Sequence, residues 1–154
     1  MLTIVHVIVG AAIGKFVLSW PIALALAVGS HFVLDALPHA DPGTLKPQSE
    51  RGSMNLTDLV LASIDLAVAF GILLLLVGHP NYTASVFAGM VGGILPDVTS
   101  GGFHLFPTLK TPRPTAWLFR FHRGIQGTVD KKDWLQGSLV EFGVAVLSII
   151  LFLL

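Results

Sequence analysis

Five stretches of this chain are apolar almost without interruption: 2–19, 21–37, 56–77, 83–95 with a little beyond, and 134–154. A hydrocarbon core about 30 Å thick needs roughly 20 such residues per helix, with about 17 to 25 tolerated. About 95 near-continuous apolar residues exceed what the core of one small soluble domain can bury. The sequence therefore predicts an all-α integral membrane protein, a single domain over 1–154 of about five transmembrane helices in an up-and-down bundle. An interfacial helix or loop is expected between the fourth and fifth. Composition agrees, because only 12% of the 154 residues are charged, half the share usual in soluble domains. Nine Lys and Arg balance nine Asp and Glu, so there is no basic field for nucleic acid. There is no cysteine, which leaves His, Asp and Glu as the side chains able to hold a metal.

The breakers place short turns on one side of the bundle, at Ser19, Trp20 and Pro21 and at Gly78, His79, Pro80 and Asn81. Long segments, from Pro38 to Asn55 and from Asp97 to Asp133, lie on the other. They carry Lys46, Arg51, Lys110, Arg113, Arg120, Arg123, Lys131 and Lys132, eight of the nine basic residues. The positive-inside rule then puts the long loops and the N-terminus in the cytoplasm, in a multi-pass protein of the inner membrane. The first run lacks a basic leader region and contains His6 and Lys15, so it reads as a retained helix. Gly10 with Gly14, and Gly89 with Gly93, are small residues at i, i+4 and predict close helix packing or a homodimer face. The stretch TAWLFRFHR (115–123) interleaves aromatic and basic residues and is expected along the membrane interface.

Ionisable residues inside a membrane are costly and mark function by default. Here they gather at one end: His6 near the start of the first helix, His31, Asp35, His39 and Asp41 closing the second, Asp58 and Asp65 opening the third, Asp97 closing the fourth, Glu141 early in the fifth. At about 1.5 Å per residue, His31, Asp65 and Glu141 each lie on the order of 10 Å below a helix end. In HFVLDALPHAD (31–41), His31 and Asp35 are one helical turn apart and share a face, a spacing that lets imidazole and carboxylate bind a metal. Pro38 ends or bends that helix, so His39 and Asp41 come from a turn able to curl over the site. GGILPDVTSGGFH (92–104) reads as an apolar helix stopping at Leu95-Pro96 before Asp97. In FHRGIQG (121–127), His122 and Arg123 fall in the cytoplasmic loop, where a guanidinium beside a metal suits phosphate.

With VHVIVGAAIG, SHFVLD, ILPD and FHRG in place, the chain resembles the membrane-bound metal-dependent hydrolase family (YdjM-like inner-membrane hydrolases). HFVLDALPH is also similar to the HxxxD…P.H stretch of the zinc-dependent phospholipase C and single-strand nuclease superfamily. The resemblance implies zinc held by His and Asp that activates water against a phosphoester. In the family pattern Thr-His-Ser follows His-Arg-Gly, whereas Ile125, Gln126 and Gly127 stand here, and the SHxxxD span precedes the Leu-Pro-Asp helix. The expected load is one or two divalent metals, zinc with manganese or iron as alternatives. The candidate ligands are His6, His31, Asp35, His39, Asp97 and His122. Asp65 or Glu141 would bridge or act as general base, and Arg123 would meet the phosphate of a membrane lipid or lipid-phosphate substrate. Three functions fit: a metal-dependent hydrolase, a non-catalytic membrane protein held together by metal or buried ion pairs, and a small ion or proton carrier.

Overall fold

The computed structural model describes residues 1–41, 44, 56–105 and 113–154. Among them lie α1 (Thr3–Phe16), α2 (Trp20–Ala36), α3 (Leu56–Val77), α4 (Ala84–Leu105), α5 (Arg113–Ile125), a 3-10 turn (Lys131–Asp133) and α6 (Trp134–Leu153). Lys46, Arg51 and Lys110, which help to set the expected orientation, lie outside the described residues.

The all-helical class is as expected, whereas only two of the five expected spans have the length of one among the described residues. Leu56–Val77 and Lys131–Leu153 are long and apolar enough to cross a membrane, while Thr3–Phe16, Trp20–Ala36 and Ala84–Thr99 are shorter apolar helices. The cause is local. Leu2 and Val17 take extended backbone, which leaves α1 14 residues long, about 21 Å at the α-helical rise. Leu37 is extended before Pro38, as the residue preceding a proline prefers, and so ends α2 where expected. Pro96 behaves differently: α4 runs through it to Leu105 instead of stopping at Leu95. Just beyond it, the Thr99 hydroxyl donates to the carbonyls of Leu95 and Pro96, both at 2.9 Å.

Helix α4 packs on both α1 and α2, and glycine makes the approach possible. A methyl group on Gly89 would collide with the Gly10 carbonyl, and one on Gly93 with the carbonyl of His6. The small-residue pairs therefore bring helices of one chain together. Helices α3 and α6 also pack on α1.

Several of the most deeply buried side chains are polar. The largest side chains buried to below 2% exposure are His6, His31, His39, Val86, Thr44 and Asp35, whereas Leu75 is 80% and Leu56 76% exposed. Water-soluble proteins seldom hide such residues while leaving leucines bare. Buried polar side chains share the inside of this bundle with apolar clusters around Val7, Val86 and Met90 and around Val5 and Leu34, and large aliphatic side chains cover much of its outside.

Candidate metal centre

The site begins where α1 begins. The first amides of a helix have no partner inside it, and Leu2, at the N-cap of α1, offers no capping side chain. Other helices supply the caps. Asp65 of α3 accepts from Thr3 N (2.6 Å) and Ile4 N (3.1 Å), and Glu141 of α6 accepts from Leu2 N (2.9 Å). Both carboxylates lie at the end of the bundle where the sequence puts them, but they are engaged with backbone amides and stand apart from the histidine cluster. An apolar exterior explains the arrangement, since an unsatisfied amide there costs several kcal/mol.

Asp35 connects this start to the cluster. Its Oδ1 accepts from the Met1 nitrogen at 2.8 Å and from His6 Nε2 at 3.1 Å. Its Oδ2 lies 2.5 Å from His122 Nε2, 3.0 Å from Gln126 Nε2 and 3.2 Å from His31 Nε2. The one-turn spacing in SHFVLD thus holds: α2 presents both side chains to the same point. His31 Nδ1 lies 2.7 Å from the Gly93 carbonyl. That oxygen only accepts, so the proton sits on Nδ1 and a neutral His31 turns its Nε2 lone pair toward the cluster. Backbone carbonyls orient metal-binding histidines in this way.

Four of the six expected metal residues come together. One ligand atom each from His31, Asp35, Asp97 and His122 lies within 4.8 Å of every other. His31 Nε2 is 3.1 Å from His122 Nε2 and 3.6 Å from Asp97 Oδ1, and His122 Nε2 is 3.8 Å from Asp97 Oδ1. A tetrahedral ion with bonds of about 2.0–2.1 Å sets its donors about 3.3 Å apart, so the spacing suits a first-row ion with little adjustment. The group could hold a metal ion, and nothing in its geometry names which. His31, Asp35 and His122 are buried, and Asp97 keeps 34% of its side chain exposed.

The other two expected ligands are placed differently. His6 stacks on His31 with ring centroids 4.0 Å apart and reaches Asp35, while its buried Nδ1 has no hydrogen-bond partner. His39 is fully buried one step away: Nδ1 donates to the Leu37 carbonyl (2.8 Å), and Nε2 faces Gln126 Oε1 (3.1 Å) and Thr128 Oγ1 (3.4 Å). Burial holds its imidazole below the ordinary range. Arg123 is exposed in the last turn of α5 and does not join the cluster.

His122 lies on a helix and not in the expected loop. Helix α5 is amphipathic, with His122 on its inner side and Trp117 stacked on Phe121 at 5.6 Å on its outer side. The segment after it is fastened to the end of α2. Gly127 N donates to Asp35 O (2.7 Å), His39 N to Gly127 O (3.2 Å) and Val129 N to His39 O (2.9 Å). One carbonyl left open near the end of α2, that of Asp35, thus finds a donor in this segment. A side chain at 127 would strike the carbonyls of Ala36 and Leu37. This fastening delivers Gln126, whose Nε2 lies 3.0 Å from Asp35 Oδ2 and 3.1 Å from His122 Nε2. Sequence reasoning registers Gln126 only as a departure from a family pattern, and a neutral amide carries no spacing signal that would single it out.

No protein-family model matches this chain, and no curated protein or solved structure matches it.

Proposed function

We propose that this protein is a multi-pass inner-membrane protein with a divalent-metal centre, and that the centre hydrolyses a phosphoester of a membrane lipid. The observation that carries the reading is the convergence of His31, Asp35, Asp97 and His122 from three helices onto one point, with ligand atoms within 4.8 Å of each other. These imidazoles and carboxylates direct their ligand atoms at one point, the donor set that a divalent cation takes. Two histidines and two carboxylates suit zinc, and also manganese or iron.

Hydrolysis is favoured over a purely structural role by the exposure of Asp97. Structural zinc sites are closed, whereas catalytic ones keep a side open to water and substrate. Here three ligands are buried and the fourth borders the surface. The membrane setting is supported by two helices able to cross a bilayer and by the apolar exterior. In this reading α1, α2 and the first part of α4 complete the five spans, and the Trp117–Phe121 pair of α5 lies among headgroups beside the site. Arg123, exposed one residue from His122, is then placed to meet a lipid phosphate.

The test is elemental analysis of the detergent-purified, untagged protein beside a His31→Ala/Asp35→Ala variant, followed by phosphate release from lipid vesicles. We expect about one equivalent of a transition metal, lost in the variant, and release that stops with chelator and returns with added metal. No metal after purification in metal-supplemented, chelator-free buffer overturns the metal reading. Metal without phosphate release from any lipid phosphate overturns the hydrolase.

A further inference from the structure

The hydrogen-bond polarity around Gln126 bears on the ligand set. His39 Nδ1 lies 2.8 Å from the Leu37 carbonyl, so the ring proton sits on Nδ1, and a neutral His39 presents a lone pair at Nε2. Two groups face that lone pair, and it needs a donor. Thr128 cannot serve, because its hydroxyl proton goes to Asp41 Oδ2 at 2.8 Å. The other is the Gln126 carboxamide, whose far atom lies 3.1 Å from Nε2. The oxygen and nitrogen of a glutamine amide occupy equivalent positions, and the network around them decides which is which. His39 is fully buried, and its ring partners are the Leu37 carbonyl, Gln126 and Thr128, with no carboxylate among them to balance a charge, a setting for a neutral imidazole. The NH2 group therefore belongs on the His39 side.

That orientation gives up the amide's hydrogen bond to Asp35 and turns its oxygen inward, to the position 3.0 Å from Asp35 Oδ2 and 3.1 Å from His122 Nε2, where a cation shared by these atoms takes the place of the lost donor. These are spacings between donor atoms around one ion, the same as those within the four-residue group. We infer that Gln126 is a further ligand of the metal centre through its carboxamide oxygen, with His39 as the positioning residue that holds the amide in that sense. The inference rests on the metal-centre reading above and adds to it. It assigns His39, expected from sequence to touch the metal, the role of orienting a ligand.

The test is Co²⁺ binding to the full-length protein in detergent, followed by equilibrium dialysis and by the visible absorption of the bound ion, which reports its coordination number. Gln126→Ala should weaken Co²⁺ binding by about tenfold or more, and His39→Ala by a similar factor. The double variant should bind no worse than Gln126→Ala alone, because His39 acts through the amide. Gln126→Glu places a carboxylate oxygen at the same position and should bind at least as tightly as the wild type. Wild-type affinity and an unchanged spectrum for Gln126→Ala, while His31→Ala/Asp35→Ala binds nothing, would overturn the inference and leave the metal centre standing. Should Gln126→Ala fail to fold, weaker binding by Gln126→Glu than by the wild type overturns it equally. Absence of Co²⁺ binding by the wild type overturns the centre and the inference together.

Discussion

Where α1 ends, Lys15 donates to the carbonyls of Leu151 and Phe152, and Asn81 donates to the same Phe152 carbonyl, so that polar groups close the C-terminus of α6. Where α1 begins, Asp65 and Glu141 close its N-terminus in a complementary way, carboxylate to amide. Up to this point the two ends are alike: each matches the sign of a helix dipole with a side chain from elsewhere in the fold. They part at Asp35. Its neighbours are mainly other side chains, and His31, His122 and Asp97 meet there with their ligand atoms close together. A polar residue inside an apolar bundle is thus not by itself a sign of function. Side chains that converge on one another are the sign that separates the two ends.

The largest expected effect lies at that junction. Asp35→Ala leaves the Met1 nitrogen, His6, His31 and His122 without their common acceptor. Removing one partner from a buried charged network costs about 3–5 kcal/mol, so we expect a large loss of thermal stability in detergent together with complete loss of bound metal. Asp35→Asn keeps the shape, and should recover part of the stability while binding no metal. Metal retained in either variant would break the distinction between the ends.

Next comes the helix contact that positions the site. Gly89→Ala puts a methyl group against the Gly10 carbonyl, and α1 and α4 can relieve it only by separating. Overpacking of this kind costs about 1–3 kcal/mol. Because Gly93, one turn on from Gly89 along α4, lies against His6 and accepts from His31, metal affinity should fall along with stability. An unchanged affinity in the destabilised variant would show that the cluster is held by α2 and α5 alone.

The α1 caps offer a sharper contrast, since they lie at the same end as the cluster. Asp65→Asn and Glu141→Gln should each cost about 1 kcal/mol, the scale of a lost N-cap, and leave metal content at the wild-type value. Loss of metal in Asp65→Asn would restore the carboxylate to the site that its depth suggests.

These residues also show what a sequence can carry. His31 and Asp35 are legible because a helix fixes the relation of i and i+4 whatever surrounds it. Asp97 and His122 are legible as ligand types, although the sequence reads the first at a helix end and the second in a loop, whereas both lie on helices. Depth along the axis is legible as well, and it places Asp65 and Glu141 at the correct end. Rotation about the axis is not, because helices that are apolar on every side have no polar face to orient them, and so both carboxylates turn to α1 instead of to the histidines. Pro96 is ambiguous for a related reason: the same residue ends a helix or sits inside one according to what packs against it, and its sequence neighbours resemble those of Pro38. Gln126 becomes visible only once the backbone of 127–129 is seen lying beside the end of α2.

The smallest effect tests the other end. Lys15→Met keeps most of the aliphatic stem and removes the ammonium, so the contact with the carbonyls of Leu151 and Phe152 is lost while packing is largely kept. A cation at a helix C-terminus contributes about 0.3–1 kcal/mol, and Asn81 still donates to Phe152 in the variant, which favours the lower part of that range. Metal content and Co²⁺ affinity should not change, because nothing at this end reaches the cluster except through the length of α1. A fall in affinity with so little loss of stability would mean that α1 carries strain from one end to the other. The two ends would then be coupled, and the separation drawn between structural and functional polar residues would have to give way to a single network along that helix.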